Sequence, residues 1–112
     1  MNIQIYALKK NFDVQKAERY FKERRVPYTM VDLAKHTLGK REMETFARKV
    51  GIRNLIDTSS KLYETHYIRN LTGESTIIEA LIAEPKLLKT PIVRNGQDCT
   101  VGFAPEIWEG WK

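Results

Sequence analysis

The feature that most constrains this chain is its opening order of strand, helix and strand. Ile3-Gln4-Ile5-Tyr6 alternates apolar and polar side chains with β-branched residues, the pattern of a half-buried strand. Val14, Ala17, Tyr20 and Phe21 then recur at helical spacing. Pro27 ends that helix, and Tyr28-Thr29-Met30-Val31-Asp32-Leu33 reads as a second strand. A crossover of about 20 residues is too long for a hairpin and suits a parallel, right-handed unit. Asp13 is the expected N-cap of the first helix, with Phe12 and Ala17 spaced for a hydrophobic staple.

Further along, Met43, Phe46, Ala47 and Val50 form the stripe of a helix over about 40–50, which Gly51 terminates. Residues 52–71 are weakly patterned; a loop and a short helix around Lys61–Tyr67 are expected. Thr72 is the expected cap of a helix running through Glu84, with Ile77, Ile78, Leu81 and Ile82 apolar and Pro85 past its end. Ile92-Val93-Arg94 and Thr100-Val101-Gly102-Phe103 read as strands joined by a turn of four or five residues around Asn95-Gly96. Pro105 opens a last helix whose Ile107 and Trp108, with Trp111, are expected to close the core.

A chain of 112 residues without repeat, linker or low-complexity tract is expected to form one domain, residues 1–112. Its one cysteine, Cys99, cannot close an internal disulfide or build a thiolate zinc site. No apolar run approaches the roughly 20 residues of a membrane span, and Met1-Asn2-Ile3-Gln4-Ile5-Tyr6 lacks the pattern of a signal peptide. A reducing, cytoplasmic setting is therefore the expectation. Nineteen Lys and Arg against 14 Asp and Glu give a net charge of +5. The basic residues are interleaved with glutamates, as in Lys22-Glu23-Arg24, which suits solvated helix faces. No aromatic RNA-binding motif or zinc-finger spacing accompanies them, so direct nucleic-acid binding is not expected. A partner with an acidic surface fits the charge better.

Four segments in order carry a resemblance. They are Ile5-Tyr6-Ala7-Leu8-Lys9-Lys10-Asn11-Phe12-Asp13 with Lys16-Ala17, Asp57-Thr58-Ser59-Ser60-Lys61-Leu62-Tyr63, Glu84-Pro85-Lys86-Leu87-Leu88-Lys89-Thr90-Pro91-Ile92-Val93-Arg94, and Val101-Gly102-Phe103-Ala104-Pro105-Glu106 with Trp108. Together they resemble the arsenate reductase (ArsC/Spx/YffB) family. The resemblance implies an α/β, thioredoxin-like (glutaredoxin-like) fold with a helical insertion and ArsC-family topology. It implies that Pro91 is the cis proline beside the active loop; X-Pro is the bond type that tolerates cis. Arg94, just beyond it, would suit a bound oxyanion through its planar fork.

The family's reductases attack an oxyanion with a thiolate at a helix N-terminus, where the helix dipole favours the anion. The resemblance puts Asn11 in that cysteine's place and Val14 in the place of the Spx-like second cysteine. It puts Ser59 where an arginine is expected and Ala104 where a basic residue is common. No catalytic residue is therefore assigned. The candidate ligand-binding set is Asn11, Asp13, Ser59, Thr90, Pro91 and Arg94, with no metal site. Cys99, His36 and His66 read as structural or surface residues.

Two functions compete. In the first, the chain lacks thiol-reductase activity and works in a regulatory role through a protein partner; Spx-like relatives act by binding RNA polymerase. In the second, it is an arsenate reductase-related oxidoreductase or an oxyanion or thiol binder. In that glutathione- or glutaredoxin-linked reading, glutathione in the shared pocket is the cofactor that supplies the cysteine, and Arg94 orients the anion; otherwise no cofactor is expected.

Overall fold

The computed structural model describes residues 1–111. Four strands form one sheet in the order β2-β1-β3-β4. β1 (Ile3–Ala7) lies parallel to β2 (Tyr28–Asp32), joined by α1 (Phe12–Glu23), which gives the crossover that the first 33 residues require. β3 (Ile92–Asn95) runs antiparallel to β1, and β4 (Asp98–Val101) runs antiparallel to β3. Between β2 and β3 the chain forms α2 (Lys40–Val50), α3 (Lys61–Thr65) and α4 (Glu74–Ala83). Three single turns of 3-10 helix intervene, at Ile52–Leu55, Tyr67–Asn70 and Pro85–Leu87. α5 (Pro105–Trp108) closes the fold.

Side chains alternate across the sheet and divide the core in two. Ile3, Ile5 and Val93 pack with Ala17, Tyr20 and Phe21 of α1 and with Trp108. Tyr6, Ile92 and Cys99 face the other way, against Met43, Phe46 and Ala47 of α2 and Ile77, Ile78 and Leu81 of α4. A sheet covered on both faces by helices is the result, with the loop after β1 and the start of β3 meeting at one end.

Several expectations need correction. The N-cap of α1 is Asn11, not Asp13, and Phe12 is the first helical residue, 80% exposed, so no staple with Ala17 exists. Gly73, not Thr72, stands at the N-cap of α4. The β3–β4 loop is the minimal two-residue kind, Gly96-Gln97, with Gly96 supplying the positive φ of 64° that a primed hairpin turn needs at its first position. Ile107 is 48% exposed and closes no core; Trp108 does, while Trp111 is half-buried. Gly51 ends α2 with a φ of 87° as expected, and the Thr90–Pro91 peptide is cis.

Candidate functional site

The site is built where β1 ends and β3 begins. Asn11 takes an extended conformation, φ −116°, and its Oδ1 accepts the N–H of Val14 at 2.8 Å. That bond satisfies one of the orphan donors of the first turn. The amide's other end reaches across to the cis proline. Nδ2 lies 3.3 Å from the Thr90 carbonyl oxygen and 3.4 Å from Thr90 Oγ1. A carboxylate could accept the Val14 N–H but has no hydrogen to give the Thr90 carbonyl. Asp13 is already the second residue of the helix, so it cannot take the N-cap place. Asp13 instead stands half-buried near Gly102, whose φ of 79° and N–H···O bond to Pro91, 2.8 Å, lead the chain away from β4.

Asn11 and Thr90 line a cleft of about 300 Å³. Leu8, Leu62 and Leu88 supply apolar surface, and Lys9 and Lys86 are the two basic residues of its lining. Asp57 and Ser60 complete its polar side. Ser60 Oγ accepts the Tyr63 N–H at 3.1 Å and so caps α3. Ser59 does not line the cleft: it is exposed, and its hydroxyl donates to Asp57 Oδ1 at 2.6 Å. The cleft thus offers two lysines, the Asn11 amide and hydroxyls beside the Asp57 carboxylate, and no thiol.

Arg94 is not part of it. It lies three residues beyond Pro91 on β3, about 10 Å at strand rise, on the sheet face that α2 covers. There its Nε donates to the Gly96 carbonyl at 2.8 Å, and Nη1 approaches Glu42 Oε2 at 3.8 Å and the Tyr6 hydroxyl at 3.5 Å. Glu42 gathers this cluster. Its Oε1 accepts the Gly39 N–H at 3.1 Å and faces His36 Nε2 at 3.2 Å, while its Oε2 accepts from the Tyr6 hydroxyl at 3.2 Å. Burial works against the charge on Glu42, but the Gly39 N–H, His36 and the Tyr6 hydroxyl outweigh it and hold the carboxyl below its ordinary pKa. Burial pushes the Tyr6 phenol up, opposed by Arg94. The cluster ties β1, β3, α2 and the loop before α2 together.

Cys99 sits on β4 opposite Arg94, only 5% exposed. Burial, with Asp98 beside it, raises its thiol pKa to about 11. His66 accepts the Ile68 N–H on Nδ1 and caps a 3-10 turn. Among the described residues no group of His, Cys, Asp and Glu could hold a metal ion.

Of the residues expected from sequence, the structure brings Asn11 and Thr90 together in the cleft, with Pro91 next to Thr90 in the chain but not in the lining, and leaves Asp13, Ser59 and Arg94 outside it. Lys9, Lys86, Asp57 and Ser60 were not anticipated there. Lys9 follows β1 directly, and Lys86 and Ser60 fall within the resembling segments, so closeness in sequence to Asn11, Pro91 and Ser59 was the available signal.

Comparisons with known proteins agree with this architecture. The family model ArsC matches residues 6–110. No curated protein matches the chain. Among solved structures, the YffB protein superposes with a TM-score of 0.86 at 19% identity, over 96% of each chain. An ArsC-family-related protein from Bacteroides fragilis gives 0.83 at 24% identity, over 100% of both chains. An arsenate reductase from Vibrio cholerae gives 0.82 at 17% identity, over 96% of this chain and 94% of its own. At these identities the structural likeness is one of fold, and that fold is thioredoxin-like. The family match spans nearly the whole sequence, and the chain belongs to the ArsC family.

Proposed function

We propose that this chain is an ArsC-family protein without thiol-reductase activity that acts through contacts with a protein partner in a regulatory role. One observation carries the reading. The head of α1, where a nucleophile would gain from the helix dipole, holds the Asn11 amide, engaged by Val14 and Thr90, while the chain's single thiol is buried on β4. An amide supplies no covalent attack of this kind. RNA polymerase is one partner that the resemblance to Spx-like proteins suggests.

The test is turnover of arsenate with glutathione and glutaredoxin at high protein concentration, for wild type and Cys99→Ser. This reading expects no rate above that without protein. A rate that scales with protein overturns it.

A second reading rests on Lys9 and Lys86 beside the cleft. Two cations in a space near the lower bound of small-molecule sites suit a small anion, or glutathione with its two carboxylates. Glutathione would supply the thiol, and these lysines would bind and orient it. A thermal shift with glutathione that Lys9→Ala and Lys86→Ala abolish would support that role.

A further inference from the structure

The net charge is not spread evenly. Residues 9–25, which comprise α1 and its flanks, hold seven of the 19 basic residues and three of the 14 acidic ones. That segment therefore carries +4 of the chain's +5. The outer face of α1 forms one wall of a groove of about 390 Å³, whose other wall is Phe103 and Pro105. Lys16, Arg19 and Arg24 line it, with Glu23 the one acid. All three cations are exposed, and among the described residues none of them forms an ion pair.

Two of these cations are already positioned by aromatic rings. The Arg24 guanidinium lies 3.7 Å from the Tyr20 ring centroid, and its Nη1 donates to the Tyr20 carbonyl at 3.3 Å. Lys16 Nζ stands 5.6 Å over the Phe103 ring. Phe103 is 40% exposed and packs edge-on against buried Trp108, so it is a fixed apolar surface rather than a loose side chain. Cations held in place lose less side-chain freedom when a partner arrives.

We infer that this groove, on the outer face of α1, is the docking site for an acidic peptide segment of a partner protein, its carboxylates meeting Lys16, Arg19 and Arg24 and an apolar side chain resting on Phe103. The inference rests on the contact-based reading above and gives the partner its chemistry. Charge complementarity argues for that occupant: an excess of +4 in one segment steers an acidic chain and holds its register. A nucleic acid fits less well. Tyr20 is buried with Arg24 over its ring, which leaves Phe103 as the one exposed ring lining the groove, whereas a single strand stacks successive bases on several rings. A lipid surface is flat, whereas this site is concave and carries Glu23 within it.

The experiment uses the full chain and a fluorescein-labelled peptide of Glu and Asp with one Phe and one Leu, read by anisotropy at about 0.15 M salt, where charges more than about 8 Å away are largely screened. Binding is expected, with a loss of roughly tenfold or more in Lys16→Glu/Arg19→Glu. Lys35→Glu/Arg41→Glu removes the same charge elsewhere and is expected to change affinity less than about twofold. Phe103→Ala, which leaves the charge untouched, is expected to weaken binding several-fold. Circular dichroism reports whether each variant is folded. No binding, or equal loss in the two double variants, overturns the inference. So does phosphatidylserine-vesicle or single-stranded RNA binding that exceeds peptide binding and depends on Lys16 and Arg19. Arsenate turnover reports separately on the contact-based reading, so absent turnover with absent peptide binding rejects the groove alone.

Discussion

Asn11 and Thr90 are 79 positions apart and meet at the mouth of the cleft, Asn11 Nδ2 lying 3.3 Å from the Thr90 carbonyl oxygen. With its Oδ1 accepting the Val14 N–H, the same side chain caps α1 and fastens it to the segment that leads into β3. Asn11→Ala should destabilise the protein by about 1 kcal/mol in urea unfolding, the usual worth of an N-cap. Asn11→Asp should lose less, because a carboxylate still accepts the Val14 N–H while it gives up the bond to Thr90. Equal loss in both variants would mean that the Thr90 contact, not the cap, carries the stability.

Asn11→Cys tests the chemistry of the same place. A thiol at the head of a 12-residue helix should have a depressed pKa and react readily with a disulfide reagent at neutral pH. Its rate in the native protein should exceed that of Cys99 by at least about tenfold. If both thiols react alike, the helix dipole is not acting at this position.

The Glu42 cluster predicts a pH dependence. The folded-state pKa of Glu42 is lowered, so its contribution is present above the unfolded value of about 4.3 and is lost as pH falls through the folded value. Glu42→Gln should be less stable than wild type by about 1 kcal/mol at pH 7, and the gap should shrink toward pH 3. Thermal unfolding across that range measures it. A gap constant with pH would assign the loss to packing.

Trp108 Nε1–H donates to Thr100 Oγ1 at 2.8 Å inside the core, where both residues are buried. Trp108→Phe keeps much of the aromatic contact with Tyr20 and Phe21 but leaves the Thr100 hydroxyl without that donor. Urea unfolding should show a loss of about 1–3 kcal/mol, and Trp108→Phe combined with Thr100→Val should recover part of it.

The strand-helix-strand order, the helical stripes, the turn at Gly51 and the cis proline at Pro91 were all legible, because periodicity and backbone restriction act locally. Caps were less so. Asn11 and Asp13 are both good capping residues two positions apart, and local pattern does not decide at which of them the helix begins. Arg94 looked free for an oxyanion because it follows Pro91 closely. Strand alternation turns it toward α2, where Glu42, 52 residues earlier in the chain, pairs with it. The cleft was half legible: Asn11, Thr90 and Pro91 share it or flank it, while Lys9 and Lys86 enter through loop geometry.

The proposed function requires that no thiol in this chain be available for chemistry. The direct measurement is the rate at which native Cys99 reacts with a disulfide reagent, compared with the same protein in urea. With its pKa near 11, the thiolate fraction at pH 7 is on the order of 10⁻⁴, against roughly 10⁻² for a free cysteine. The native rate should lie at least about a hundredfold below the unfolded one and rise steadily as pH increases toward 11. A native rate at pH 7 equal to or above the unfolded rate would contradict it.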